Sequence, residues 1–210
     1  GANDFSGATN LQTGSIFLGS PTALGTTAAG TTVGGGATLD LNGQAVGAEA
    51  ITLGAGTAGN LVNTNTETAA SLAGTVALNV NSNVGGAGNL LLDGIISQVG
   101  AARNLTKTGV GKVTLTNANT YTGTTLLKNG TLVLSGGDNR LSASSTITLG
   151  DTATTGKLVL GNTSAKSDLT VNGLNTTGLG GSVVGGNAAN STLTFNVASG
   201  TATFAGGLGG

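Results

Sequence analysis

The sequence predicts an all-β protein, a single-stranded parallel β-helix with almost no α-helix, and three observations support this prediction. Short apolar runs alternate with the period of a strand, glycine and asparagine clusters separate those runs, and one long segment occurs twice. A side-chain period of two is typical of strands. A segment repeated at a fixed offset is typical of repeat architectures. We therefore expect short strands to stack along one axis.

The alternating runs define the predicted strands. In each run every second side chain is aliphatic or aromatic, so two or three of them share a face, while the Thr, Asn, Asp or Lys residues between them point to solvent. We expect strands at Thr38–Leu41, Val76–Val80, Val113–Thr116, Thr131–Leu134, Thr146–Leu149, Lys157–Leu160, Asp168–Val171, Leu193–Val197 and Thr201–Phe204. No stretch has the spacing of three and four residues that a helix requires.

The predicted turns are rich in glycine and asparagine, such as Gly34–Gly36, Asn42-Gly43 and Asn129-Gly130. These residue types adopt the positive φ angles of tight turns. The chain has 40 Gly, one Pro, 7% charged residues and five aromatics. A β-sandwich or barrel also fits short strands. The scarcity of aromatics favours a thin solenoid core, and the positive mean hydropathy argues against disorder.

The repeated segment spans residues 2–20 and, 116 positions later, residues 118–136. Seven of nineteen aligned positions are identical and none is chemically reactive. The residues that define the repeat are predicted to be structural: Asn3, Gly7, Leu11, Gly14, Leu18, Asn119, Gly123, Leu127, Gly130 and Leu134. We expect residues 1–210 to form one continuous solenoid, with a first copy over 2–117 and a truncated second copy over 118–210. At ~20 residues a turn it would have ~10 turns and be ~50 Å long.

One stretch carries a family resemblance. Residues 104–116 read NLTKTGVGKVTLT, and Ala118–Thr125 and Gly130–Leu134 follow. Together they closely resemble the autotransporter-associated β-strand repeat of type V secretion passenger domains and large bacterial surface proteins. Gly36–Gly43 is similar to another passenger segment. The resemblance implies a right-handed parallel β-helix that is exported to the bacterial cell surface or secreted. This piece lacks the family's signal peptide and outer-membrane barrel, so we expect a mature or excised part of a passenger.

The search for chemistry yields no catalytic, metal-binding or cofactor-binding residues. The chain has no His and no Cys, which excludes Ser-His-Asp and Cys-His catalysis and the usual zinc sites. Carboxylates are the remaining acid–base groups, and Asp138 and Asp151 are the pair that adjacent turns could bring together. Both follow glycines and are more simply turn residues. The calcium pattern Gly-Gly-x-Gly-x-Asp is matched only loosely at residues 136–139 and is not repeated.

The polar residues suggest surfaces rather than sites. Asn79, Asn81 and Asn83 alternate and could form amide ladders, and Thr-x-Thr pairs recur too irregularly to favour ice binding. All seven basic residues lie between positions 103 and 166, which suggests a charged surface or head-to-tail pairing of subunits. A net charge of −1 without interleaved aromatics argues against nucleic acid. No apolar run is long enough for membrane insertion.

These observations predict a non-enzymatic extracellular structural protein, a stalk or adhesin scaffold on a bacterial surface. A solenoid has an open row of strand edges at each end, which must be capped or paired. Neither end of the sequence resembles a cap. We therefore expect neighbouring repeats of a longer parent chain or end-to-end self-association, with a surface glycan or protein as a further partner. The alternatives are the subunit of an end-to-end filament and a carbohydrate-active enzyme on a β-helix.

Overall fold

The alternating sequence forms short strands separated by tight corners. The structure is a computed structural model that describes residues 2–197 and 204–209, and within these ranges it contains strands and no helix. The strands are β1 Thr9–Leu11, β2 Ser15–Phe17, β3 Thr31–Val33, β4 Thr38–Asp40, β5 Ala45–Val46, β6 Ile51–Leu53, β7 Asn60–Val62, β8 Ala70–Leu72, β9 Val76–Leu78, β10 Ser82–Gly85, β11 Leu90–Leu92, β12 Ile96–Gln98, β13 Leu105–Thr108, β14 Lys112–Leu115, β15 Thr125–Leu127, β16 Gly130–Leu134, β17 Thr146–Leu149, β18 Gly156–Leu160, β19 Leu169–Val171, β20 Gly173–Thr176, β21 Gly181–Gly185, β22 Leu193–Phe195 and β23 Gly207–Leu208.

The strands stack into parallel sheets that form the sides of a β-solenoid. Side A contains β1-β3-β6-β9-β12, side B contains β2-β4-β7-β10-β13-β15-β17-β20, and side C contains β5-β8-β11-β14-β16-β18-β21-β23. A further parallel pair, β19-β22, lies later in the chain. Paired residues are 19 to 27 positions apart in sequence, as in Val113↔Leu132 and Thr146↔Gly173. The predicted β-helix fold is confirmed.

The number of turns is smaller than the sequence predicted. Sides B and C each have eight strands, so the described chain makes about eight turns rather than ten. The corners vary in length, and most turns use more than the twenty residues that were assumed. Eight stacked strands give a length of ~35 Å.

The core consists of columns of aliphatic side chains that follow the solenoid axis. On side C one column runs through Leu72, Leu92, Leu115, Leu134 and Leu160, and these side chains are buried. Because stacked residues sit at the same position in successive turns, each leucine packs between the leucines above and below it. Aliphatic residues fill most of this narrow interior, as the composition predicted, and Tyr121 is the one fully buried aromatic among the described residues.

Each predicted strand from Thr38–Leu41 to Leu193–Val197 overlaps an observed strand, but some observed strands are shorter: β9 ends at Leu78 rather than Val80, and β22 ends at Phe195 rather than Val197. β17 spans Thr146–Leu149 as predicted, and β4 ends at Asp40, one residue before the predicted end. Of the predicted strand at Thr201–Phe204, residues 201–203 lie outside the described residues, and Phe204 itself is not in a strand. No helix that could span a membrane is found in the described part of the chain.

Candidate functional site: the buried polar residues of residues 105–134

The most unusual side chain in the core belongs to Lys107. In β13 it occupies an inward position, between Val84 of the preceding turn and Leu127 of the next. Only 1% of Lys107 is exposed. The same column is aliphatic at the neighbouring positions from Leu39 to Leu149, so the four-carbon stem of the lysine packs with the column while its ammonium needs polar partners.

Three backbone carbonyls supply those partners. The Lys107 Nζ donates to the carbonyl oxygens of Thr108 at 2.9 Å, Gly109 at 2.7 Å and Asn129 at 3.0 Å. An ammonium has three protons, so each one has an acceptor. Since Asn129 belongs to the next turn, Lys107 links the B-to-C corners of two successive turns. Burial lowers the pKa of Lys107 to about 8, which leaves it mostly protonated at neutral pH.

Asn119 performs a similar task in the segment between β14 and β15. Its Oδ1 accepts from the backbone N–H of Ile96 at 2.7 Å. Its Nδ2 donates to the carbonyls of Asn117 at 3.0 Å and Arg140 at 2.8 Å. One buried amide thus joins the preceding turn, its own turn and the following turn.

Tyr121 fills the core where side A has no strand. Side A ends at β12, and the next turn crosses this side without a strand. The Tyr121 ring is fully buried there, and its hydroxyl lies 2.7 Å from the Thr125 Oγ1, also buried. Burial raises the pKa of Tyr121 above its ordinary value, with a smaller opposing effect from the Thr125 hydrogen bond. The ring fills the space inside this segment, while the backbone N–H of Thr120 still donates to the carbonyl of Ile96 in the preceding turn at 2.9 Å.

The two segments of the predicted repeat share local geometry. Gly14 and Gly130 have positive φ angles of 78° and 71°. The backbone N–H of Asn3 donates to Thr22, as that of Asn119 donates to Arg140. Leu18 and Leu134 are both buried, whereas Leu11 is half-buried and Leu127 fully buried.

The two segments nevertheless occupy different sides of the solenoid. Leu11 lies on β1 of side A, whereas its counterpart Leu127 lies on β15 of side B. Gly7 has no atom within 4 Å of an added β-carbon, whereas one on Gly123 would lie 2.2 Å from the Arg103 carbonyl oxygen. The organisation of the chain as two copies of a long unit stays a prediction.

The carboxylates do not form the pair that the sequence suggested. Asp138 and Asp151 make different contacts: the Asp138 Oδ1 accepts from the backbone N–H of Asp168 at 2.7 Å, and Asp151 pairs with Lys128 at 3.6 Å. The Asp168 side chain in turn accepts from Thr192 N–H at 2.7 Å and from Lys166. These contacts, the Lys166 bond first, lower the pKa of Asp168, which does not suit a proton donor.

Two buried carboxylates were not distinguished from the other acids by sequence. Asp40 accepts from the backbone N–H groups of Asn42 at 2.8 Å and Thr64 at 3.1 Å, and Glu49 accepts from the Thr31 hydroxyl at 2.7 Å. Both link neighbouring turns. Among the described residues no group of three or more His, Cys, Asp or Glu side chains could hold a metal ion.

A cavity of about 510 Å³ lies beside the last turns, between β21, β22 and β23. Among the described residues its lining has no charged side chain and includes Leu160, Val183, Asn187, Leu193, Phe195 and Leu208. It therefore offers no acid or base for chemistry.

Comparison with known proteins agrees with this geometry. Residues 105–134, which include Lys107, Asn119, Tyr121 and Thr125, match the family model described as the passenger-associated-transport-repeat. The match covers this one segment of the 210 residues, and the solenoid fold is consistent with it. No curated protein and no solved structure matches the chain. The resemblance noted in the sequence is confirmed.

Proposed function

We propose that this chain is part of the passenger of a bacterial surface protein and acts outside the cell as a non-enzymatic stalk or adhesin scaffold. The observation that carries the proposal is the structural role of the polar residues in residues 105–134, the segment that matches the passenger-associated-transport-repeat. Lys107 and Asn119 bond to the turns beside them, and Tyr121 is buried in the core. A segment whose characteristic residues join turns is suited to extending a rod.

The location can be tested on intact cells of the source bacterium. Antibodies raised against the purified chain should label unpermeabilised cells, and protease added to those cells should remove the label. A cytoplasmic protein probed in parallel should stay unlabelled and undigested. Labelling that appears only after permeabilisation would contradict an external location.

A second candidate, the subunit of an end-to-end filament, is favoured by apolar exposure on the terminal turns. Phe17 on β2 is 63% exposed and Leu208 on β23 is 65% exposed. Another turn stacked on β23 would cover Leu208, which is in register with the inward-facing Val183, and one stacked on β2 would flank the outward-facing Phe17; either would pair an open edge. If this proposal holds, electron microscopy of the purified chain at rising concentration shows fibres, and Phe17→Asp or Leu208→Asp prevents them. Discrete particles at every concentration would reject the filament.

A further inference from the structure

The outer face of side C carries two parallel columns of side chains of different chemistry. The first column is Lys112, Thr131, Lys157 and Ser182, which are stacked by the pairing of β14, β16, β18 and β21. The second column is Thr114, Val133, Val159 and Val184 on the same strands, and all four are half-buried. The columns are two residues apart on each strand, so both face solvent.

The two lysines of this face have no ion-pair partner among the described residues. Lys112 and Lys157 are both exposed. By contrast, Lys128 and Lys166 pair with Asp151 and Asp168. The outer face of side C therefore favours an anion.

The spacing of the lysines narrows the chemistry of that anion. Lys112 and Lys157 are separated by two strand spacings, or ~9.6 Å along the axis. Side chains on one face of an extended peptide repeat at ~6.8 Å, so an acidic peptide fits the lysine interval less closely. In an extended polysaccharide successive rings are about one strand spacing apart. An acid group on every second sugar then matches the lysine interval.

We propose that the outer face of side C binds an acidic polysaccharide with alternating uronate residues, lying along the solenoid axis. Lys112 and Lys157 pair with carboxylates two sugars apart, and the hydroxyls of Thr131 and Ser182 lie between and beside them. The column of Val133, Val159 and Val184 packs against the apolar C–H faces of the rings. This inference rests on the proposed adhesin scaffold and adds its ligand class.

Affinity electrophoresis of the purified chain through gels containing hyaluronan, an alternating uronate polymer, tests the proposal. Neutral dextran gels are the matched control for the polymer. We expect retardation by hyaluronan only, weakening as salt is raised. The Lys112→Gln/Lys157→Gln variant should bind on the order of tenfold more weakly. Lys166→Gln, which removes one charge on another face, should leave binding unchanged.

A variant with the same net charge tests the spacing. Thr131→Lys/Lys157→Thr keeps two lysines in the column but places them on adjacent strands. It should bind hyaluronan more weakly than the unaltered chain, and equal binding would overturn the spacing argument. Absence of hyaluronan binding overturns the ligand, as does preferential binding to polyglutamate or to phosphatidylglycerol vesicles. Since external labelling of cells is measured separately, this failure is distinguishable from failure of the scaffold role.

Discussion

Lys107 is the residue on which the joining of two turns depends most visibly. Replacing it with methionine keeps the apolar stem but leaves the carbonyls of Thr108, Gly109 and Asn129 without this donor. Loss of a buried partner typically costs ~1–3 kcal/mol. We expect Lys107→Met to lower the free energy of unfolding in urea by ~2–3 kcal/mol. Lys128→Met, which loses only a half-exposed ion pair, should change it by less than ~1 kcal/mol.

The same lysine predicts a dependence on pH. In the folded chain Lys107 has a pKa of about 8, below the ordinary value of 10.5. The folded state therefore binds fewer protons than the unfolded state between these values, so stability rises with pH in this window. The ordinary pKa of a tyrosine is 10.0 and burial raises that of Tyr121, so Tyr121 affects the pH dependence of stability only from about pH 10 upward. Measured by urea denaturation, the free energy of unfolding of the unaltered chain should rise between pH 8 and 10, and that of the Lys107→Met variant should not. Equal slopes would contradict the burial of Lys107.

Asn119 and Asn3 form a matched pair at equivalent positions of the predicted repeat. Asn119 is buried and its amide makes three hydrogen bonds, whereas the Asn3 amide is exposed and makes one. Asn119→Ala should destabilise the chain by ~2–4 kcal/mol, and Asn3→Ala by less than ~1 kcal/mol. Thermal unfolding followed by circular dichroism measures both. Similar losses would show that the buried position has no special role.

At the scale of the element, the corners need close approach of one backbone to the next. A β-carbon on Gly123 would lie 2.2 Å from the carbonyl oxygen of Arg103, whereas Gly7 at the aligned position has open space. Gly123→Ala should therefore cost more than ~2 kcal/mol, and Gly7→Ala should be within ~1 kcal/mol of the unaltered chain. Urea denaturation of both variants tests this. A Gly123→Ala variant as stable as Gly7→Ala would mean that the corners stack less tightly.

The strands that were predicted from sequence are those set by a clear local pattern. At β16 and β18, Leu132, Leu134, Leu158 and Leu160 alternate with exposed or half-buried residues, and all four are buried. The corners were not predictable, because their lengths depend on how each turn packs on its neighbours. This is why the predicted ten turns became about eight.

The candidate site was only partly readable from sequence. The Lys-Thr-Gly motif was singled out by resemblance, but the burial of Lys107 was missed because lysine is rarely buried without a partner. Its inward parity with Leu105 was the available signal. Its acceptors are backbone carbonyls, including one 22 residues away, and carbonyl positions have no sequence signature. The side on which each copy of the repeat lies likewise depends on the number of residues in all intervening corners.

At the scale of the whole molecule, the solenoid is a set of columns of residues in register. Side B provides one outward column, Thr38, Asn60, Asn83, Thr106, Leu126, Thr148 and Asn175. Within it the Asn83 Nδ2 donates to the Asn60 Oδ1 at 2.8 Å, a single amide pair flanked by Thr38 and Thr106 rather than a continued amide ladder. Because successive members of this column differ by one turn, the distance between two of them measures how many strand spacings separate their turns.

The central claim is that the strands stack in register into a solenoid, and distances between spin labels placed along this column test it most directly. The chain has no cysteine, so paired cysteines can be placed at Thr38 and Leu126, Thr38 and Thr148, and Thr38 and Asn175 without background labelling. Four, five and six strand spacings predict separations of ~19, ~24 and ~29 Å by pulsed electron paramagnetic resonance. Equal increments of one strand spacing would support the stacked solenoid. Distances that do not increase in this order would contradict it.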